Sequence, residues 1–374
     1  MDNFKSFIKV IFAKWIFKKP LQKDILIYDR EGAEIFFVMF EKSDCEIMDS
    51  RYESVNFYII FITLLRKGLK NFKNNYKLNY ISAVSPKVVF TGIDNNLAFY
   101  KLKDIYDKTS YVSVQISQRD TIFFDQCTKH YSNPKNKKLK INHMFVIGKN
   151  EVERFSKVLE GSIHCLGSVK NNHYYINDNN DEKKINSILF VSANNALNKI
   201  RSFIKGEEII FNSLYNFCEK NKIKLSICTK NDISQESFYR KKFIKGNWIY
   251  KPKINPESSY KYINGSEMIV FVDSTLGYEA LTKGIKCAVF PIVDNCFPYK
   301  GHSKMYPKTG PFWSCDFNYE IMEDILKRVI NYTKEEWREI INKNSINDII
   351  QYDPDNFKFK SVLKSLNLPF KNKA

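Results

Sequence analysis

Several familiar chemistries are missing from this 374-residue chain. It has no G-x-G-x-x-G turn and no G-x-x-x-x-G-K-[ST] loop, which excludes the usual dinucleotide fingerprint and the P-loop NTPases. It has no G-x-S-x-G elbow, no H-E-x-x-H helix and no kinase signature set. Eight cysteines stand at 45, 127, 165, 218, 228, 287, 296 and 315. None forms a C-x-x-C pair, and no His/Cys group has zinc spacing, so neither a redox motif nor a structural zinc is expected. Cys165, Cys228 and Cys287 lie within apolar runs, as buried free thiols do, and a reducing cytosol fits them. No uninterrupted apolar stretch reaches the roughly 18 residues of a spanning helix. Solenoid-period repeats and long low-complexity tracts are absent.

What is present begins with charge. Fifty-nine basic and 41 acidic side chains leave a formal net charge of +18. That balance favours anionic partners (nucleic acid, anionic lipid or phosphorylated small molecules), unless it only solvates a lysine-rich surface. The lysines are spread along the chain, and no nucleic-acid module is recognisable, so nucleic acid is not an expected partner. Apolar residues make up 44%, enough for real cores, and the length suits two domains. Near the N-terminus Phe4, Phe7, Ile8, Ile11, Phe12, Trp15 and Ile16 fall at helical spacing beside Lys5, Lys9, Lys14, Lys18 and Lys19. The pattern predicts one amphipathic helix over residues 4–17, either laid on an anionic membrane or packed on its own domain. An uncharged h-region and a small-residue cleavage site are lacking, so it does not read as a signal peptide.

Short apolar runs alternate with helical stretches, which predicts βαβ units and parallel sheets. In the first half, strands are expected at 24–28, 45–48, 87–91, 110–116, 143–147 and 162–166, with helices at 55–70, 97–106 and 151–159. A polar stretch, 171–186, reads as a linker. A second series follows, with strands at 187–192, 224–229, 247–250, 268–273 and 286–290, and helices at 206–220, 234–243, 257–263 and 275–283. The tail reads as helices at 319–331, 334–344 and 355–366. The expected architecture is α/β: two Rossmann-like domains facing a cleft, with C-terminal helices. The expected boundaries are 1–168, a linker 169–186, 187–350, and a tail 351–374 returning to the first domain. Ligands of such sheets bind beyond the carboxyl ends of the strands.

The segment Ile269-Val270-Phe271-Val272-Asp273-Ser274-Thr275-Leu276-Gly277-Tyr278-Glu279-Ala280-Leu281 runs a buried strand into Asp-Ser-Thr. Ser274 or Thr275 can cap the following helix, whose free N–H groups make an anion site favoured by the helix dipole. Gly277 would let a ligand approach the backbone, and Glu279, one turn on, would accept hydrogen bonds from a ribose. The plainer alternative is a capped helix with Glu279 in solvent. In the first half Asp94 ends a buried strand. There a carboxylate can serve as base or nucleophile, or simply cap the next helix. Gln115, Arg119 and Asp125 are second-line candidates; Arg119 suits a bidentate carboxylate or an ordinary surface ion pair. Lys308, after an aromatic loop at 291–307, suits a phosphate, while Phe312 and Trp313 suit packing. The histidines show no ligand spacing; His302, within the loop, is the mild exception.

The 273–281 segment, followed by Gly284-Ile285-Lys286-Cys287-Ala288-Val289-Phe290, resembles the donor-side motif of bacterial surface-carbohydrate and capsule glycosyltransferases. It is distantly similar to the G-F-E-A segment of the retaining Kdo transferases. Further likenesses follow in order: Thr91-Gly92-Ile93-Asp94-Asn95-Asn96 to an I-D-N element, and Val114-Gln115-Ile116-Ser117-Gln118-Arg119 to a Q-N-G-x-R element. Leu166-Gly167-Ser168-Val169-Lys170-Asn171-Asn172 is similar to a G-S-x-x-N-N joint, and Gly310-Pro311-Phe312-Trp313 to a G-x-F-W element. Ser117-Gln118 stand where the pattern has Asn-Gly. The resemblance spans about residues 88–314. It implies a GT-B fold, a nucleotide-sugar donor in the second domain, a glycan or lipid-linked glycan acceptor in the first, and neither metal nor cofactor. The expected donor set is Ser192, Ser274, Thr275, Gly277, Glu279 and Lys308; the expected catalytic set is Asp94, Arg119 and Gln115. The donor leans to a CMP-linked nonulosonate or Kdo-like sugar, with UDP and GDP sugars open. The setting expected from the cysteines is cytoplasmic, peripheral on the inner face of the membrane if the N-terminal helix lies there rather than on its own domain. Two rivals are a nucleotide-sugar epimerase of the same fold and a non-enzymatic protein binding anionic membrane or nucleic acid.

Overall fold

In a computed structural model, residues 12–371 are described, except 52, 120, 134–137, 175–184, 194–200, 230–232, 293–295, 300, 301 and 305. Apolar runs bounded by polar turns become strands because burial on both faces suits parallel pairing with helices over each face. The first sheet contains β2 (Ile25–Ile27), β3 (Cys45–Ile47), β5 (Val88–Thr91), β6 (Ser110–Val114), β7 (Leu139–Val146) and β8 (Leu159–Cys165). Its order is β3-β2-β5-β6-β7-β8, every neighbour pair parallel. The second contains β9 (Ser187–Val191), β10 (Lys224–Cys228), β11 (Ile249–Lys251), β12 (Met268–Phe271) and β13 (Lys286–Val289), ordered β11-β10-β9-β12-β13, again all parallel. Each sheet reverses its strand order once, between β2 and β5 in the first and between β9 and β12 in the second. Such switch points open a crevice at the carboxyl ends of the strands. The class is therefore α/β with two Rossmann-like sheets.

One core gathers around the second sheet, including Phe190, Phe211, Val270, Tyr278, Trp313 and Trp337. The first sheet has a core on each face. Phe359 and Leu363 of the tail belong to one of these, with the Phe359 ring 5.8 Å from Phe90 and 4.6 Å from Phe145. The tail itself departs from the single helix expected over 355–366. A short helix, Phe357–Val362, lies between two 3-10 turns. Asp355 and Asn356 adopt left-handed backbone at φ 56° and 55°. A buried amide holds that break: Asn356 Nδ2 donates to Val169 O and Asn356 Oδ1 accepts from Asn172 Nδ2, both at 3.0 Å. Asn tolerates this region better than most residues, and two hydrogen bonds outweigh continued helix there.

Only the end of the amphipathic helix expected over residues 4–17 is corrected, Phe12 itself being helical. Residues 1–11 lie outside the described residues, and Lys14–Ile16 forms a strand, β1, parallel to β4 (Ser54–Asn56). The helical spacing of apolar residues was local, whereas the pairing partner lies some 40 positions away. Pairing seats Trp15 and Phe17 against Phe57, ring centroids 6.4 and 5.5 Å apart.

Candidate functional site

At the switch point of the first sheet, Asp29 follows β2 and Gly92-Ile93-Asp94 follows β5. The two turns touch: a Cβ on Gly92 would stand 2.8 Å from Gly32 O, and Gly32 itself has φ 83°. Asp94 does not cap the next helix. Asn96 does, its Oδ1 accepting from Ala98 N at 3.1 Å. Asp94 is instead fully buried, with both oxygens held by Arg119: Nε donates to Oδ2 at 2.7 Å, and Nη2 donates to Oδ1. Burial pushes its carboxyl up, with the Arg119 guanidinium pulling against it. The structure thus presents a locked pair rather than a free carboxylate, with the Arg119 side chain 17% exposed.

That pair opens onto a larger buried network. Arg154 Nη1 donates to Arg119 O at 2.8 Å and to Glu151 Oε1 at 2.7 Å, and its guanidinium covers the Phe124 ring at 4.0 Å. Gln115 Nε2 donates to Glu151 Oε2 at 3.3 Å while Gln115 Oε1 accepts from Ile147 N at 3.1 Å. From the second half, Tyr299 Oη donates to Glu151 Oε1 at 2.5 Å and Ser303 N donates to Asn150 Oδ1 at 2.7 Å. Asp94, Arg119 and Gln115 are therefore brought together. Asp125 is not: it lies on the exposed side of the helix Ile122–Tyr131. Glu151, Arg154 and Tyr299 were missed by sequence reasoning. A Glu in the first turn of a helix just beyond a buried strand was the signal for Glu151. His302 sits nearby, its Nδ1 accepting from Lys304 N at 3.2 Å and its Nε2 buried without a partner.

In the second half, Ser192 follows β9 and Asp273-Ser274 lie just past β12, again at the switch point. Ser192 Oγ donates to the buried Glu207 carboxylate at about 3 Å, and Ala193 N donates to it at 2.9 Å. Ser274 occupies the N-cap position of the helix Thr275–Thr282 with extended backbone, and its hydroxyl makes no capping bond. Asp273 Oδ2 accepts from Ile292 N at 2.9 Å, tying down the loop after β13. Beside it a pocket of about 690 Å³ is lined by Ile209, Ile292, Lys308, Cys315 and Phe317, among others. Lys308 is exposed. At Gly277 a Cβ would stand 2.1 Å from the Phe271 ring, so the missing side chain admits that ring. Its neighbour Tyr278 donates to Pro298 O, which fixes the loop that carries Tyr299.

Glu279 is 5% exposed and lies against the first half rather than in solvent. Tyr260 Oη donates to Oε2 at 2.9 Å, and the Ser168 side chain is a second donor. Burial pushes the Glu279 carboxyl up, opposed by those two hydroxyls and by Lys283 and Lys170. Lys283, which donates to Tyr174 O, is itself lowered to about 8 by burial. The helix Thr275–Thr282 therefore sits between two polar seams joining the halves, one centred on Glu151 and one on Glu279. Among the described residues no group of three His, Cys, Asp or Glu side chains could hold a metal.

No curated protein sequence matches the chain. A family model described as "putative O-antigen biosynthesis protein" matches residues 112–367. Among solved structures, S. aureus MnaA with UDP aligns at TM-score 0.51 and 13% identity, over 95% of this chain and 98% of that one. A UDP-GlcNAc 2-epimerase from Neisseria meningitidis bound to UDP-GlcNAc gives 0.51 and 10%, over 92% and 98%. The wall teichoic acid polymerase TagF gives 0.51 and 10%, over 94% and 89%. At these identities the likeness is one of fold.

Proposed function

The chain belongs to the O-antigen biosynthesis protein family whose model it matches, and from that premise we propose that it is a glycosyltransferase. It takes a sugar from a nucleotide-sugar donor and passes it to a surface-glycan acceptor, free or lipid-linked. One observation carries the reading. A buried polar network runs from Asp94, at the first switch point, through Arg119, Arg154 and Glu151 to Tyr299, beside the helix that begins at Thr275 at the second switch point. The nucleotides in the fold neighbours, UDP and UDP-GlcNAc, make uridine donors the first to test beside CMP-linked ones.

In this reading the donor's phosphate lies at the N-terminus of the helix Thr275–Thr282. Its free amides and the hydroxyls of Ser274 and Thr275 stabilise the charge left on the departing nucleotide. Lys308, from the pocket lining, and Ser192, just past β9, complete the donor side in this reading. Glu279 takes the ribose hydroxyls once the halves part enough to withdraw Ser168. On the acceptor side, an anionic group of the substrate draws the Arg119 guanidinium from Asp94 and frees its carboxylate. The acceptor oxygen then bonds to the anomeric carbon, the bond from that carbon to the phosphate oxygen breaks, and the hydroxyl proton passes to Asp94. Gln115 holds the 115–119 loop through its bond to Ser117 O at 3.0 Å. All eight cysteines are free thiols, which suits a cytoplasmic setting.

The test incubates the protein with UDP, CMP and GDP sugars, with and without a lipid-linked glycan, and isolates the products. Transfer that requires the acceptor is expected. Conversion of the free nucleotide sugar with no acceptor present would replace the transferase with an epimerase. A thermal-shift panel of the same nucleotides identifies the donor, because a ligand that prefers the native state raises its stability.

A further inference from the structure

The helix Phe57–Lys67 buries Ile59 and Thr63 and turns a second apolar face to solvent. Phe57, Phe61, Leu64 and Leu65 stand at i, i+4, i+7 and i+8, which places them on one side of the helix. They are 44%, 53%, 41% and 70% exposed, and Leu69 just beyond is 80% exposed. The face continues across the small β1-β4 sheet, where Trp15 (40% exposed) and Phe17 (69%) lean on the Phe57 ring. Single exposed apolar residues are ordinary, but a contiguous ridge of this kind on a soluble surface marks an interaction site.

Charge identifies the occupant. No Asp or Glu occurs between Glu53 and Asp94, while Arg66, Lys67, Lys70 and Lys73 follow the ridge directly. Lys14, Lys18 and Lys19 flank Trp15 and Phe17 from the other side, all three exposed. An apolar ridge with a basic border and no carboxylates matches an anionic bilayer, where aromatics enter the acyl boundary and lysines meet the headgroups. A second copy of the chain would set lysines against lysines. Among the described residues no helix is long and apolar enough to cross a membrane, so the ridge would lie on the bilayer rather than span it.

We infer that the outer face of the helix Phe57–Lys67, with Trp15 and Phe17, is a docking surface for anionic phospholipid membranes. The inference stands on exposure and charge alone, independent of any transferase activity. The test is vesicle flotation of the full chain without sugar donor, using phosphatidylcholine vesicles with and without phosphatidylglycerol. The parent should float with the anionic vesicles and lose binding in high salt. The double variant Phe61→Glu/Leu65→Glu should lose flotation, while its far-UV CD and melting temperature match the parent, since both side chains are exposed. Arg66→Gln/Lys67→Gln/Lys70→Gln should bind more weakly, on the order of fivefold for each charge removed. Equal flotation of Phe61→Glu/Leu65→Glu and the parent would overturn the inference. So would equal binding to neutral and anionic vesicles, or a dimer in solution that this variant abolishes.

Discussion

At the strand ends of the first half, buried carboxylates face arginines: Asp29 with Arg51, Asp49 with Arg30, Asp94 with Arg119 and Glu151 with Arg154. The corresponding carboxylates of the second half meet hydroxyls and amides. Glu207 holds the Ser192 hydroxyl and the Ala193 amide, Asp273 the Ile292 amide, and Glu279 the hydroxyls of Tyr260 and Ser168. An arginine can hold a carboxylate through two parallel hydrogen bonds and so pin it in place. A hydroxyl or amide donor meets a single carboxylate oxygen and lacks that two-point hold. The strand-end carboxylates of the first half are thus pinned by guanidinium groups, and those of the second half are met by hydroxyls and backbone amides.

The contrast breaks most visibly at Arg119. Arg119→Ala leaves Asp94 buried without its cation and should cost about 3–5 kcal/mol of stability in urea unfolding. Tyr260→Phe removes one neutral donor and should cost about 1–3 kcal/mol in the same assay. Equal losses would erase the distinction between the halves. Next in size is the separation of chemistry from binding. Asp94→Asn should remove most turnover yet leave nucleotide binding nearly unchanged, as a group acting in the transition state would. Glu279→Ala should weaken the nucleotide by about 1–3 kcal/mol in calorimetric titration. If Glu279→Ala binds as tightly as the parent, the donor site lies elsewhere.

Gly277→Ala sharpens the comparison within one helix. Its Cβ meets the Phe271 ring, so the variant should lose about 1–3 kcal/mol of stability by overpacking. Its nucleotide affinity should hold once it is folded; weakened affinity with an unchanged melting temperature would restore Gly277 as a ligand contact.

The smallest effect is a slope. Burial lifts the Glu279 carboxyl above its ordinary 4.5. Over the window from about 4.5 upward to the folded value, the native state holds a proton that the unfolded chain has released. Its contribution to stability therefore falls as pH rises through that window. Glu279→Gln cannot ionise and should lose less stability than the parent as pH rises above about 4.5. Parallel stability curves would mean that Glu279 is not protonated in the folded chain.

Much of the fold was legible because each strand and helix carries its own signal. The run Met268–Phe271 is too short and too apolar for anything but a buried strand, and Thr275–Thr282 follows it with a helical pattern. The same locality placed Asp94 and Ser274 at strand ends. It failed where a distant partner decided the outcome. β1 exists because β4 offers a ladder, against the helical spacing of its own residues. The 355–366 helix breaks because Asn172 and Val169 hold the Asn356 amide.

By itself, then, the sequence determined the α/β alternation, the parallel sheets and which residues end the strands, since apolar periodicity and turn chemistry act over a few positions. Only the tertiary structure decided what those strand-end residues do. Arg119 reaches Asp94 across 25 positions, and Tyr299 reaches Glu151 across 148. Gly277 turned out to serve a phenylalanine ring. Such pairings are set by strand order and by how the two sheets meet, and a buried charge takes its partner from whatever that packing brings within hydrogen-bond reach.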